Sequence, residues 1–309
     1  MKKVIVILGQ TATGKSDLAV KIALRLRSGP SAKKGGGEII SADSRQVYKG
    51  LDIGTGKITK KEMGGISHHL LDVVNPKNKF TVAEYQKKAI SAIADIVSRG
   101  KIPIICGGTG FYIDSITKGI IFPKVPPNLK LRKSLYSKSA IALFEYLKKI
   151  DPRRAKSIDS KNKVRLIRAI EIMKALGKVP ELKYDTFSAM AESVSSYKFI
   201  KIGLYLPPDK LKKKIEKRLL ARMKTGMLRE AKKLHRGGLP WKRMEELGLE
   251  YRYIALYWQN KITKKEMLEK LNSEIYQYAK RQMTWFKRDK EIKWFDASKK
   301  INYGILIRL

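Results

Sequence analysis

A chain of 309 residues with an apolar fraction of 43% can pack a large core, or a core with an attached subdomain, so wholesale disorder is excluded. Lys and Arg number 67 against 28 Asp and Glu, a formal net charge of +39, which puts a nucleic-acid partner ahead of a merely solvated lysine coat. The single cysteine, Cys106, excludes a disulfide framework or a multi-cysteine zinc site, and no stretch combines a basic face with the long apolar stripe that would hold a membrane surface.

The opening run Val4–Leu8 reads as a strand buried on both faces. It stops at Gly9, too short for a signal core or a membrane span, so a cytoplasmic protein is expected. Lys15 to Arg27 is amphipathic, giving strand, glycine-rich turn, helix. Ser28 to Gly37 has the composition of a flexible loop. Short strands are expected at Glu38–Ser41 and Leu70–Val74. Thr81 with Glu84 forms a capping box for a helix to about Ser98, and Ile102–Cys106 makes another buried strand.

The pattern changes after Phe122. Pro123, Pro126 and Pro127 mark a connector, and residues 123–195 read as a basic helical insertion whose best helix runs from about Asn162 to Leu176 with Gly177 as its cap. Strand character returns at Phe199–Leu206. Helices follow at about Asp209–Lys224 and from Thr263 to Arg288, then a last strand at Ile292–Phe295. The expectation is an α/β fold, a P-loop NTPase-like parallel sheet core from residues 1–122 and 196–309 carrying C-terminal basic helices, with 123–195 as an inserted RNA-binding subdomain.

Gly9-Gln10-Thr11-Ala12-Thr13-Gly14-Lys15-Ser16 matches the phosphate-loop pattern. Glycines let successive N–H groups wrap an anion at a helix N-terminus. Lys15 supplies a point charge, and the Ser16 hydroxyl can hold Mg²⁺. Asp43 follows the second strand and would lie in the ligand crevice of an open parallel sheet. It can equally cap the turn after it, and the two roles are compatible. Gly107-Gly108-Thr109-Gly110 ends another strand on the same side, with Thr109 a usable hydrogen-bonding group.

Adjacent His68 and His69 point to opposite faces of an extended segment, which favours structural roles over a shared metal. Cys106 sits in an apolar run and reads as a small buried hydrophobe. Arg165 and Arg168 share a helix face. The segment from Tyr276 interleaves Lys280, Arg281, Lys287 and Arg288 with Tyr276, Tyr278, Trp285 and Phe286, a mixture suited to phosphate contact and base stacking; Trp285 is expected to be partly core.

As a set these motifs resemble the tRNA dimethylallyltransferase (tRNA isopentenyltransferase) family of bacterial type. The matching residues are Gly9–Ser16, Asp43-Ser44 with Tyr48, Asp52-Ile53-Gly54-Thr55-Gly56-Lys57, His68-His69-Leu70, Gly107–Gly110, Asp151-Pro152, Arg165 with Arg168–Glu171, and Ala279–Gln282 with Thr284–Phe286. The resemblance implies transfer of a dimethylallyl group from dimethylallyl diphosphate to N6 of the adenine beside a tRNA anticodon (tRNA position 37). By the same likeness Asp43 is the general base, and Thr109 contacts the donor's diphosphate end. Lys15, Ser16 and the rest of Gly9–Ser16 hold diphosphate and Mg²⁺, and Arg218 is a second diphosphate cation for which Arg222 competes. Asp43, Ser44, Arg45, Gln46, Arg165, Arg168 and Arg281 correspond to tRNA-contacting positions. Glu246–Tyr251 replaces the family's Gly-Tyr-containing tRNA segment. Partners implied are the tRNA anticodon stem-loop and the prenyl donor, with no membrane, acting as a monomer. A small-molecule kinase would share the loop but need a lid and no +39 charge. A non-catalytic RNA-binding protein would leave Asp43 beside a phosphate loop unexplained.

Overall fold

The computed structural model describes residues 1–28, 35–180 and 196–300. Most of the expected Ser28–Gly37 loop and the expected subdomain edge at 195 lie outside them. Two compact units result, one of Met1–Gly119 with Ser188–Leu309, the other Ile120–Phe187.

The first unit holds a six-stranded parallel sheet. Its elements in chain order begin β1 (Lys2–Gly9), α1 (Lys15–Ser28), β2 (Gly37–Ser41), α2 (Lys60–Met63), β3 (His68–His69), α3 (Val82–Ser98), β4 (Ile102–Cys106) and α4 (Gly110–Thr117). The second unit supplies α5 (Leu129–Tyr136), α6 (Ala140–Ile150), α7 (Pro152–Ser157) and α8 (Lys163–Leu176). The first unit resumes with β5 (Tyr197–Tyr205), α9 (Pro208–Lys224), α10 (Met227–Arg236), α11 (Trp241–Leu247), α12 (Leu249–Trp258), α13 (Lys264–Phe286) and β6 (Lys293–Asp296).

The sheet order is β3-β2-β4-β1-β5-β6, every pairing parallel. β1 is central because Val4–Leu8 is apolar on both faces. Val4, Val6 and Leu8 pack with α3, α4 and the C-terminal helices, while Ile5 and Ile7 pack against α1. The chain leaves β1 toward β2, β3 and β4 on one side and takes up β5 and β6 on the other. The carboxyl end of β1 is therefore the switch point at which an open parallel sheet forms its crevice.

The capping boxes at Thr81–Glu84 and Thr263–Glu266 form as expected, and Asn162 and Gly177 cap α8 at its two ends. The third strand differs from expectation. It is only His68–His69, with a single further bridge from Val74 to Tyr48, because Leu70 (φ 63°) and Asp72 (φ 55°) adopt left-handed backbone that no strand can continue. The apolar residues there pack as a loop on the core instead.

The two histidines diverge. His69 Nε2 lies 2.7 Å from Glu38 Oε2 and His68 Nδ1 2.8 Å from the Ile66 carbonyl. Glu38 is buried in β2, where a bidentate Arg99 and Lys101 hold its carboxyl far below the usual range against the opposing effect of burial. In the second unit Glu171 plays a similar part. Burial would raise its pKa, yet Arg132, Arg168 and the Asn128 N–H together bring it to about 2.

Candidate functional site: a phosphate-loop cleft

At the end of β1 the chain must turn within one residue of its sheet neighbour. Gly9 has φ 133°, and a Cβ there would sit 2.1 Å from the Leu204 carbonyl oxygen, so only glycine fits. The N–H groups of Ala12 to Ser16 donate to no protein acceptor among the described residues. They form an uncommitted row of donors at the start of α1, the arrangement that binds anions. Gln10 and Thr13 are buried supports, with Thr13 Oγ donating to the Gln10 carbonyl at 2.8 Å.

Lys15 folds back on that same carbonyl, its Nζ 2.6 Å away. Burial, with Arg218 nearby, pushes its pKa down to about 8, and Cys106 and Asp43 only partly oppose this. Ser16 is exposed at the helix start. Cys106, beneath the loop, is buried and its thiol is pushed up to about 11, so it is a packing residue as its sequence context indicated.

Asp43 leaves β2 into a turn. Its Oδ1 accepts from the N–H groups of Arg45 (2.8 Å) and Gln46 (3.3 Å), while Oδ2 has no hydrogen-bond partner among the described residues. The capping role is therefore real and uses one oxygen, leaving the other for the cleft. Thr109 Oγ accepts the Ser44 N–H at 3.0 Å and tethers this turn to the end of β4. Arg45 bonds the Ser44 carbonyl, and Gln46 reaches the Thr55 and Gly56 carbonyls.

A cleft of about 720 Å³ runs past Thr11, Lys15, Ser16, Asp43, Gly107 and Arg218. A smaller chamber of about 270 Å³ is lined by Asp43, Arg45, Arg218, Tyr253, Tyr278 and Arg281. Asp43 and Arg218 border both. Arg218 and Arg222 separate cleanly: Arg222 is tied to the Gly54 carbonyl (2.7 Å) and to Glu250 (2.9 Å). Arg218 has no hydrogen bond or ion pair among the described residues, and burial with Arg222 close by lowers its pKa. Gly56, at φ 59°, makes room for it, since a Cβ there would lie 2.8 Å from the Arg218 Nη2.

Arg165 and Arg168 lie in the second unit. Arg165 is exposed, whereas Arg168 is committed to Glu171 and to the Val125 carbonyl at 2.9 Å. Among the described residues no group of three or more His, Cys, Asp or Glu could hold a metal. The Ser16 hydroxyl could offer a single ligand to an ion such as Mg²⁺, which keeps several waters and completes its shell with phosphate oxygens.

Gln282 and Glu230 escape the sequence analysis as site residues, while Tyr278 enters it only as a stacking aromatic of the C-terminal segment. Gln282 accepts the Thr11 N–H at 2.7 Å and donates to the Gly108 carbonyl at 2.8 Å, clamping the phosphate loop to the β4 turn. Glu230 accepts the N–H groups of Asp52, Ile53 and Gly54 and the Tyr251 hydroxyl, fixing the loop that walls the cleft. Tyr278 stands beside Thr109 and Asp43, and its hydroxyl is pushed well up, chiefly by burial. The Glu246–Tyr251 segment brings Tyr251 inward as this buried support. Trp285 is half-buried, with its indole N–H on Asp114 at 3.1 Å.

A parallel sheet with an open row of loop amides, two cations and a carboxylate at its switch point defines a phosphate-loop α/β protein. The model of the IPP transferase family matches residues 46–289. Among curated proteins, tRNA dimethylallyltransferase 1 of Syntrophus aciditrophicus is 40% identical, with 96% of this chain and 94% of that protein covered. tRNA dimethylallyltransferase 2 of Treponema denticola is 42% identical, with coverage of 92% and 91%. The solved tRNA isopentenylpyrophosphate transferase of Bacillus halodurans matches with a TM-score of 0.71 and 32% identity, covering 100% of this chain and 94% of that one. A eukaryotic dimethylallyltransferase acting on tRNA matches with a TM-score of 0.75 and 26% identity over 96% of this chain and 74% of that one. The chain belongs to the IPP transferase family. No helix among the described residues is long and apolar enough to cross a membrane.

Proposed function

We propose that this protein transfers a dimethylallyl group from dimethylallyl diphosphate to N6 of the adenine next to a tRNA anticodon, releasing diphosphate and leaving N6-isopentenyladenosine. The observation that carries the reading is the position of Asp43, which lines both chambers and keeps one carboxylate oxygen without a hydrogen-bond partner among the described residues. One holds the loop amides, Lys15 and Arg218; the other is ringed by Arg45, Tyr278 and Arg281.

The loop amides, Lys15 and Arg218 receive the donor's diphosphate and neutralise the charge that grows as the allylic C–O bond breaks. Thr109 contacts the same end of the donor. Ser16 would hold Mg²⁺, which supplies further neutralisation of the leaving diphosphate. The adenine leaves the anticodon stack and enters from the arginine-lined side. Its amide-like amine is a weak nucleophile, and Asp43 Oδ2 takes its proton as the new C–N bond forms. Ser44, Arg45, Gln46 and Arg281 hold the tRNA loop around the opening, and the second unit contributes contacts through the exposed Arg165, with Arg168 positioning the helix that bears it. The protein acts in the cytoplasm, as a monomer.

Incubation with an unmodified anticodon stem-loop, Mg²⁺ and dimethylallyl diphosphate, followed by mass analysis of the digested nucleosides, tests this. Prenylated adenosine is the expected product. Unmodified RNA alongside consumed ATP would instead indicate a phosphoryl-transfer enzyme.

A further inference from the structure

The aromatic and basic segment of α13 is shared between two pockets. Tyr278 and Arg281 face the adenine-side chamber already described. Tyr276, Lys280, Met283, Thr284 and Lys287 line a separate groove of about 520 Å³, completed by Tyr205 and Leu206 at the end of β5, by Leu211, and by Trp294 in β6. Phosphate-loop neighbours mark the two sides, since Gln10 lines this groove and Thr11 the chamber.

The composition of the groove is unusual for this chain. Aromatic residues make up 8% of the sequence, yet Tyr205, Tyr276 and Trp294 are three of the eleven residues lining the groove, each half-buried rather than sealed in the core. Lys280 and Lys287 are exposed at its edge and form no ion pair among the described residues. At its floor Gln10 is 6% exposed; its Nε2 donates to the Ala279 carbonyl, and its Oε1 accepts no hydrogen bond. Flat rings beside two unpaired cations match an unpaired nucleobase with its flanking phosphates, because base stacking on aromatic side chains needs no particular sequence.

We infer that this groove seats a second unpaired base of the substrate RNA, on the opposite face of α13 from the adenine that is modified. The inference rests on the tRNA reading above. With bases engaged on both sides, α13 would sit astride the RNA loop, and the register of the adenine in its chamber would be fixed by its neighbour. Tyr276 is then a positioning residue, acting on the reaction through the RNA.

The test uses the full protein with an anticodon stem-loop. Tyr276→Ala is expected to weaken RNA affinity by about five- to a hundredfold, the range for loss of one stacked base, with the KM for dimethylallyl diphosphate unchanged. Tyr276→Phe should restore affinity, and ultraviolet crosslinking should join the RNA to the peptide carrying Tyr276 or Trp294. Wild-type RNA affinity in a folded Tyr276→Ala variant would overturn the inference, as would a raised donor KM at constant RNA affinity. Tyr276-dependent binding of AMP that RNA does not displace would also overturn it, assigning the groove to a free nucleotide. Because binding is measured without turnover, a wild-type protein that binds RNA through Tyr276 but forms no prenylated product would sink the proposed function and leave this inference standing.

Discussion

The division of labour within one carboxylate gives the sharpest expectation at the residue scale. Asp43 Oδ1 already caps a turn, and an asparagine Oδ1 can keep both of those bonds while losing the ability to take a proton. Asp43→Asn should therefore fold and bind RNA and donor as the wild type does, and lose about 10²–10⁴ in the rate of transfer. Single-turnover rates beside equilibrium binding of both substrates check this, and a fully active variant would remove Asp43 from the chemistry. Lys15 predicts a pH dependence. Its folded pKa is depressed to about 8, so the free loop carries the ammonium below that pH and loses it above. Donor binding needs the charged form. Affinity should be flat below pH 8 and fall by up to tenfold per unit above it, a fall absent in Lys15→Arg, whose guanidinium stays charged. A pH-independent affinity from 7 to 10, together with wild-type donor affinity in Lys15→Ala, would mean that Lys15 is not the cation gripping the diphosphate.

At the scale of elements, α13 is the piece that sets the site. Gln282, which lies 271 positions from Thr11 in sequence, joins the phosphate loop to the β4 turn through two hydrogen bonds. Gln282→Leu orphans the buried Gly108 carbonyl and the Thr11 N–H at roughly 1–3 kcal/mol each. Thermal unfolding should shift down, and donor affinity should fall more than RNA affinity; equal losses of the two would show that the clamp does not act on the phosphate loop. This contact illustrates what could be read from sequence and what could not. The phosphate loop, the β1 and β4 strands and the capping boxes are local signals, set by spacing within a few residues, and the structure has them where expected. Gln282 and Glu230 acquire their roles only when distant segments of the chain meet, and no local pattern carries that. The expected strand at Leu70–Val74 looked right by its apolar content, but periodicity does not register the left-handed backbone at Leu70 and Asp72. Arg165 and Arg168 looked equivalent by spacing, yet only one of them is consumed by Glu171. Arg218 and Arg222 likewise looked equivalent, yet only Arg222 is bonded to Glu250 and to the Gly54 carbonyl.

For the whole molecule, the +39 charge and the phosphate loop make separate demands on a reading of function. The charge calls for a polyanion, and RNA affinity should fall steeply with salt, by a slope of roughly −0.9 for each duplex phosphate engaged. A flat salt dependence would reduce the lysines to a solvated coat. The phosphate loop calls for a di- or triphosphate, and the cleft offers Lys15, Arg218 and the loop amides for it. The strand next to β1, Ile102–Cys106, runs into Gly107 without the acidic residue that phosphate-loop ATPases place there to hold Mg²⁺ for γ-phosphate cleavage. The donor is thus expected to be a diphosphate whose C–O bond breaks. Isothermal titration of the protein with dimethylallyl diphosphate and with ATP, each in Mg²⁺ and followed by nucleoside analysis of added tRNA, tests this most directly. The expected result is tighter binding of dimethylallyl diphosphate, its loss in Lys15→Ala, and prenylated adenosine in the RNA. Preferential binding and hydrolysis of ATP, with the adenine left unmodified, would contradict it.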